Sequence, residues 1–69
     1  MPLTMAKIGE KNIIIKVGGN ESVRSHLENL GFVTGGAVTL ISEMGGNVIV
    51  NVKDTRIAIS KEMANKIMV

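Results

Sequence analysis

With 69 residues, the chain can make one domain at most, near the size where an apolar core alone supplies about 3 to 5 kcal/mol. A large active-site cleft is hard to build on so little chain. Nine Ile, eight Val and four Leu against a single Phe point to a compact aliphatic core, while the absence of Cys excludes disulfides and thiolate metal sites.

Taken in chain order, residues 3–7 make a short turn and residues 12–17, which include Ile13-Ile14-Ile15, a first strand. Residues 21–30 form a helix. Val23, Leu27 and Leu30 recur at i, i+4 and i+7 as one apolar stripe, Asn20 caps the start, and Gly31 falls where a left-handed residue ends a helix. Phe32 then folds back onto that stripe. Gly35 and Gly36 allow a sharp reversal into a strand over residues 37–43, a segment rich in β-branched and aliphatic side chains. Strands over residues 48–53 and 56–59 follow. Ser60 can cap a helical turn over residues 61–64, with Glu62 at its positive end, and residues 67–69 close the sheet. Five short strands with one helical excursion fit a small, partly open β-barrel better than a sandwich, which would need more strands.

The turn at Met44-Gly45-Gly46-Asn47 fixes a register. If Leu40 faces Val50 and Val38 faces Val52, their side chains share the core, and Thr39 and Asn51 share the solvent face. That pairing predicts a three-residue loop, Met44 to Gly46, with Gly46 in the left-handed position. It also pairs Ile41 with Ile49 on the outer face, where they pack under the helix or a terminus, or meet a partner.

Catalytic constellations are missing. The single His26 lies mid-helix with Ser22 and Ser25 near it, and no orienting acid or oxyanion hole accompanies them. Glu10, Glu21, Glu28, Glu43, Asp54 and Glu62 are scattered and form no dyad. For metal binding, the helix positions one turn from His26 are Ser22 and Leu30, and Glu21 and Glu28 are not at chelating spacing, so a transition metal such as ferrous iron is expected at most weakly. Gly18-Gly19-Asn20 before the helix lacks the spacing of a nucleotide-binding loop, and Glu21 already occupies the field of the helix N-terminus.

A net charge of +2 permits nucleic-acid binding. The basic residues are nevertheless spread along the chain and one Phe offers almost no stacking platform, so none is expected. Arg56, Lys61 and Lys66 could gather as a basic patch near the C-terminus, read first as a solvated face. The longest aliphatic runs are three residues, against about 20 for a membrane span. No basic segment followed by an apolar one opens the chain, so a soluble cytoplasmic protein without membrane insertion is expected.

The pattern Leu27-x-x-Leu30-Gly31-Phe32-x-x-Gly35 followed by Val38-x-Leu40 resembles the FeoA family, ferrous iron transport protein A. Leu3-Thr4 with Gly9 resembles the family's opening, and Arg56 to Glu62 with Ala64, Ile67 and Val69 its closing strand, helical turn and final strand. His26 stands where many members carry an arginine, Thr34 where a proline is common, and Asp54 where a glycine often occupies a turn. The resemblance implies a mainly β, SH3-like, partly open barrel of about five strands with one inserted short helix. It also implies a cytosolic, non-enzymatic accessory protein that contacts the cytoplasmic GTP-binding domain of the FeoB-type membrane iron transporter. The expected contact is the inserted helix and following loop, with Arg24, His26 and Glu28 as polar groups and Phe32 and Val33 as partly exposed anchors. The same domain ends some metal-dependent repressors, so the alternative is a stand-alone repressor-type domain that binds a peptide or its own copy as a homodimer, or a weak transition-metal-binding module.

Overall fold

The computed structural model describes residues 1–69 throughout. After a 3-10 turn at Leu3–Met5 come β1 (Lys11–Ile13), β2 (Lys16–Val17), α1 (Glu21–Leu30), β3 (Ala37–Met44), β4 (Asn47–Val52), β5 (Thr55–Ser60), α2 (Lys61–Ala64) and β6 (Ile67–Met68). An antiparallel sheet runs in the order β1-β3-β4-β5, and a second ladder pairs β2 with β6. The chain ends extend that ladder: Pro2 bridges Met68, and the Val69 N–H donates to the Met1 carbonyl at 2.8 Å.

The strand expected over residues 12–17 is two strands, because its halves pair with different partners. The Ile14 N–H donates to the Gly36 carbonyl at 2.8 Å, whereas the Ile15 N–H donates to the Met68 carbonyl at 2.8 Å. At this corner Ile14 points into the core at 1% exposure and Ile15 is 65% exposed. Splitting the segment wraps one sheet into the other and raises the strand number to six.

The register expected for the central hairpin holds, and the loop does not. Val38 faces Val52, Thr39 faces Asn51 and Leu40 faces Val50, but the next partner of Ile49 is Ser42. Ile41 is therefore an extra residue, a bulge on β3, and the hairpin closes with Met44 opposite Asn47 through the two residues Gly45 and Gly46. Gly45, at φ 59°, takes the left-handed position that the sequence assigns to Gly46. A positive φ at the first central residue is the pattern of a type II′ turn, whose twist suits a two-residue hairpin. The bulge reconciles the short loop with the buried faces. Without it, a two-residue loop would set Leu40 against Asn51. Ile41 and Ile49 are half-buried and are not cross-strand partners.

The interior is wholly apolar. Leu3, Ile14, Leu27, Phe32, Val38, Val48, Val50, Val52 and Ile67 are sealed from solvent, and no polar side chain is buried. Alternation along β4 puts Val48, Val50 and Val52 inward and leaves Ile49 and Asn51 on the outer face. α2 begins at Ser60, whose hydroxyl accepts from the Met63 N–H at 3.2 Å, and packs on β4, β5 and the 3-10 turn. The Lys61 N–H donates to the Gly46 carbonyl at 2.9 Å, and the Lys61 ammonium pairs with Glu43, so the start of α2 is tied to the β3–β4 hairpin.

Candidate functional site

α1 is capped at both ends as its sequence dictates. The Asn20 side chain accepts from the Val23 N–H at 2.9 Å. At the other end Gly31 sits at φ 113°, its N–H donates to Glu28 O, and the Phe32 N–H donates to Leu27 O at 3.0 Å. Those two bonds make a Schellman ending, with the customary apolar contact between the residue after the glycine and the last turn. The apolar stripe is spent on the core: Leu27 is sealed, and Val23 and Leu30 pack half-buried against it. Arg24, His26 and Glu28 are exposed, with Ser22, Ser25 and Asn29.

The structure divides the residues expected to form a contact surface. At about 100° per residue, Arg24 and Glu28 share one flank of α1, while His26, two positions from each, lies about 200° away on the other. Phe32 is not a partly exposed anchor. It is fully buried, at 0% exposure, because the Schellman ending turns its ring under the helix. Val33 is half-buried at the surface, and its carbonyl accepts from the Gly36 N–H at 2.9 Å. A Cβ at Gly36 would stand 3.0 Å from that carbonyl, so a side chain there would crowd the turn. No three His, Cys, Asp or Glu side chains converge as ligands for a metal ion.

The C-terminal basic patch does not assemble. Lys61 is paired with Glu43, Lys66 lays its stem near Gly19, and Arg56 stands at the far end of β5 from Lys61. Arg56 instead joins a row across the sheet: Lys11 on β1 faces Thr39, Thr39 faces Asn51, and Asn51 faces Arg56. Directly paired residues share a face, so these four side chains line one row on the outer side. Beside them opens a cleft of about 360 Å³ lined by Lys11, Thr39, Asn51, Lys53, Asp54 and the backbone of Gly31 and Gly36, with Ala37 its one hydrophobic residue. The Lys53 stem lies across Gly31, with Cδ 3.4 Å from where a Cβ would stand, at the carbonyl end of α1 that favours a cation. Of the four residues in this row, the sequence alone places only Thr39 and Asn51 on the outer face. The pairing that adds Lys11 and Arg56 joins distant segments.

Antiparallel strands wrapped about one apolar core, with a helix inserted between the second and third, define a small SH3-like β-barrel, partly open rather than closed. The FeoA domain matches residues 1–69. The chain belongs to the FeoA family. It is 35% identical over 68 residues to a candidate Fe(2+) transport protein A of Methanocaldococcus jannaschii, an alignment covering 99% of this chain and 83% of the relative. The crystal structure of an iron uptake regulatory protein, FeoA, superposes with a TM-score of 0.91 at 27% identity and covers 100% of this chain and 93% of that one. A FeoA from Stenotrophomonas maltophilia in complex with zinc, called a prokaryotic SH3 domain protein, superposes with a TM-score of 0.86 at 25% identity, covering 100% of this chain and 88% of that one.

Proposed function

We propose that the chain is a non-enzymatic, cytoplasmic accessory protein of ferrous iron uptake. It acts by contact with the cytoplasmic GTP-binding part of an FeoB-type membrane iron transporter. The observation that carries this reading is the family match across residues 1–69, and the Methanocaldococcus jannaschii relative named for Fe(2+) transport supports it. No helix is long and apolar enough to cross a membrane.

The contact surface lies on the exposed flank of α1 and the loop after it. Arg24 and Glu28 are its polar groups and Val33 its apolar one, with His26 at the opposite rim. Phe32 serves by fixing the loop from beneath. Loops and short insertions on a rigid scaffold are where function concentrates, since they vary without disturbing the core. Zinc accompanies the Stenotrophomonas maltophilia relative. Here one imidazole with Ser22 and Leu30 at the adjacent turns holds a transition ion such as ferrous iron only weakly.

An amide-resolved NMR titration of the labelled chain with the transporter's GTP-binding domain tests this, followed by ferrous iron in the same anaerobic sample. Shifts confined to residues 21–36 with the protein alone are expected. Arg24→Glu with Glu28→Lys should weaken binding by about tenfold, the scale of one or two lost rim charge pairs, with unchanged far-UV circular dichroism. Unchanged affinity removes this helix from the contact. Shifts that need iron and centre on His26 replace the adaptor reading with a metal-binding one.

A further inference from the structure

The outer face of the four-stranded sheet carries cations without partners. Glu43 and Lys61 make the one ion pair of the molecule; Lys11, Lys53 and Arg56 make none, and all three are exposed. Thr39 and Asn51, half-buried between them, have no side-chain hydrogen bond within the chain, so the hydroxyl and amide of the cleft floor are free to donate and accept. Asp54 is the one carboxylate in the cleft lining.

We propose that the cleft between Lys11 and Lys53, continued by Arg56, docks an acidic, extended segment of a partner protein. This surface is separate from the Arg24–Glu28 flank of α1. Three considerations select the occupant. The cations do not converge on a point: Lys11 and Arg56 are three strand spacings apart, about 14 Å, which matches carboxylates spaced along a chain better than one phosphate. The floor is polar and nearly without apolar side chains, so it has no pocket for an aromatic or aliphatic anchor, nor the aromatic rails that a Pro-rich ligand needs. Nucleic acid would present spaced charges too, but binding of single strands draws on base stacking; the single Phe is sealed in the core and the His26 imidazole lies on α1, outside the cleft lining. Surface pairs of this kind contribute little individually. Their combined field sets the approach and register of an acidic partner.

The test uses the labelled chain and a fluorescent peptide of alternating glutamate and serine. Its glutamine counterpart, sodium phosphate and a short oligothymidylate serve as comparators. Expected are amide shifts at Lys11, Thr39, Asn51, Lys53 and Arg56 with the acidic peptide only, and affinity that falls several-fold between about 50 and 300 mM salt as screening tightens. The triple variant Lys11→Gln, Lys53→Asn, Arg56→Gln should lose about tenfold in affinity while its far-UV spectrum is unchanged. A variant with the same loss of charge elsewhere, Lys7→Gln, Lys16→Gln, Lys66→Gln, should bind as the parent does. Equal losses in the two variants would mean net charge and no site. Equal or tighter binding of phosphate or oligothymidylate at the same amides would replace the acidic segment by a phosphate ligand, and absence of shifts in this row would end the proposal. The transporter takes no part in these measurements, so their outcome bears on the cleft alone.

Discussion

Replacing Phe32 by alanine should unfold this protein rather than merely weaken a surface. The ring is fully buried, and an aromatic side chain buries about 150 to 250 Å², which at about 25 cal/mol per Å² is about 4 to 6 kcal/mol. Alanine retains part of that, while the cavity left behind adds a cost, so Phe→Ala in a core removes about 3 to 5 kcal/mol. An apolar core of this size supplies only about that much in total. Phe32→Ala should therefore lose its cooperative urea transition and most of its far-UV signal at 25 °C. Phe32→Leu keeps most of the volume and should cost about 1.5 kcal/mol or less. With a urea slope of about 1 kcal/mol per M for so small a chain, its midpoint should fall by about 1.5 M or less and the transition remain. An alanine variant that unfolds within about 1 kcal/mol of the parent would refute the assignment of Phe32 to the core. It would also restore the ring as a contact anchor.

Two further substitutions probe turns that decide the sheet. Gly45→Ala should destabilise by about 1 kcal/mol, because Gly45 holds a positive φ of 59°. Gly46→Ala, outside the left-handed region with open space around its Cβ position, should change stability by less than about 0.5 kcal/mol; the reverse order in thermal melts would restore the three-residue loop. In the β4–β5 hairpin, Lys53 and Asp54 hold φ values of 50° and 60°, the pattern of a type I′ turn that favours Asn-Gly. Lys53→Asn with Asp54→Gly should thus raise stability by about 0.5 to 1 kcal/mol, and a lower melting temperature would show that the Lys53 stem across Gly31 outweighs the backbone strain.

The parts of this structure that depend on neighbours in the chain were legible in it. Asn20, the Val23-Leu27-Leu30 stripe and Gly31 bound the helix at Glu21–Leu30 because caps and the helical period act within a few residues. Ser60 marked α2 for the same reason. The inward set Val38, Leu40, Val50 and Val52 followed from alternation, since a one-residue slip would have set Leu40 against Asn51.

Features that join distant segments were not legible. Whether Ile14 and Ile15 continue one strand depends on which carbonyls meet them, and those belong to Gly36 and Met68. The bulge at Ile41 is invisible locally, because a three-residue loop and a bulge with a two-residue loop satisfy the same buried pairs. That Phe32 turns back onto the helix stripe was legible from Gly31, but the completeness of its burial, at 0% exposure, required the barrel to close over the helix end. The row Lys11, Thr39, Asn51 and Arg56 exists because four strands lie side by side. Periodicity along each segment determined which residues face inward; the pairing of strands determined which outward residues become neighbours, because hydrogen-bond partners across a sheet are chosen by the whole chain's closure and not by any one stretch of it.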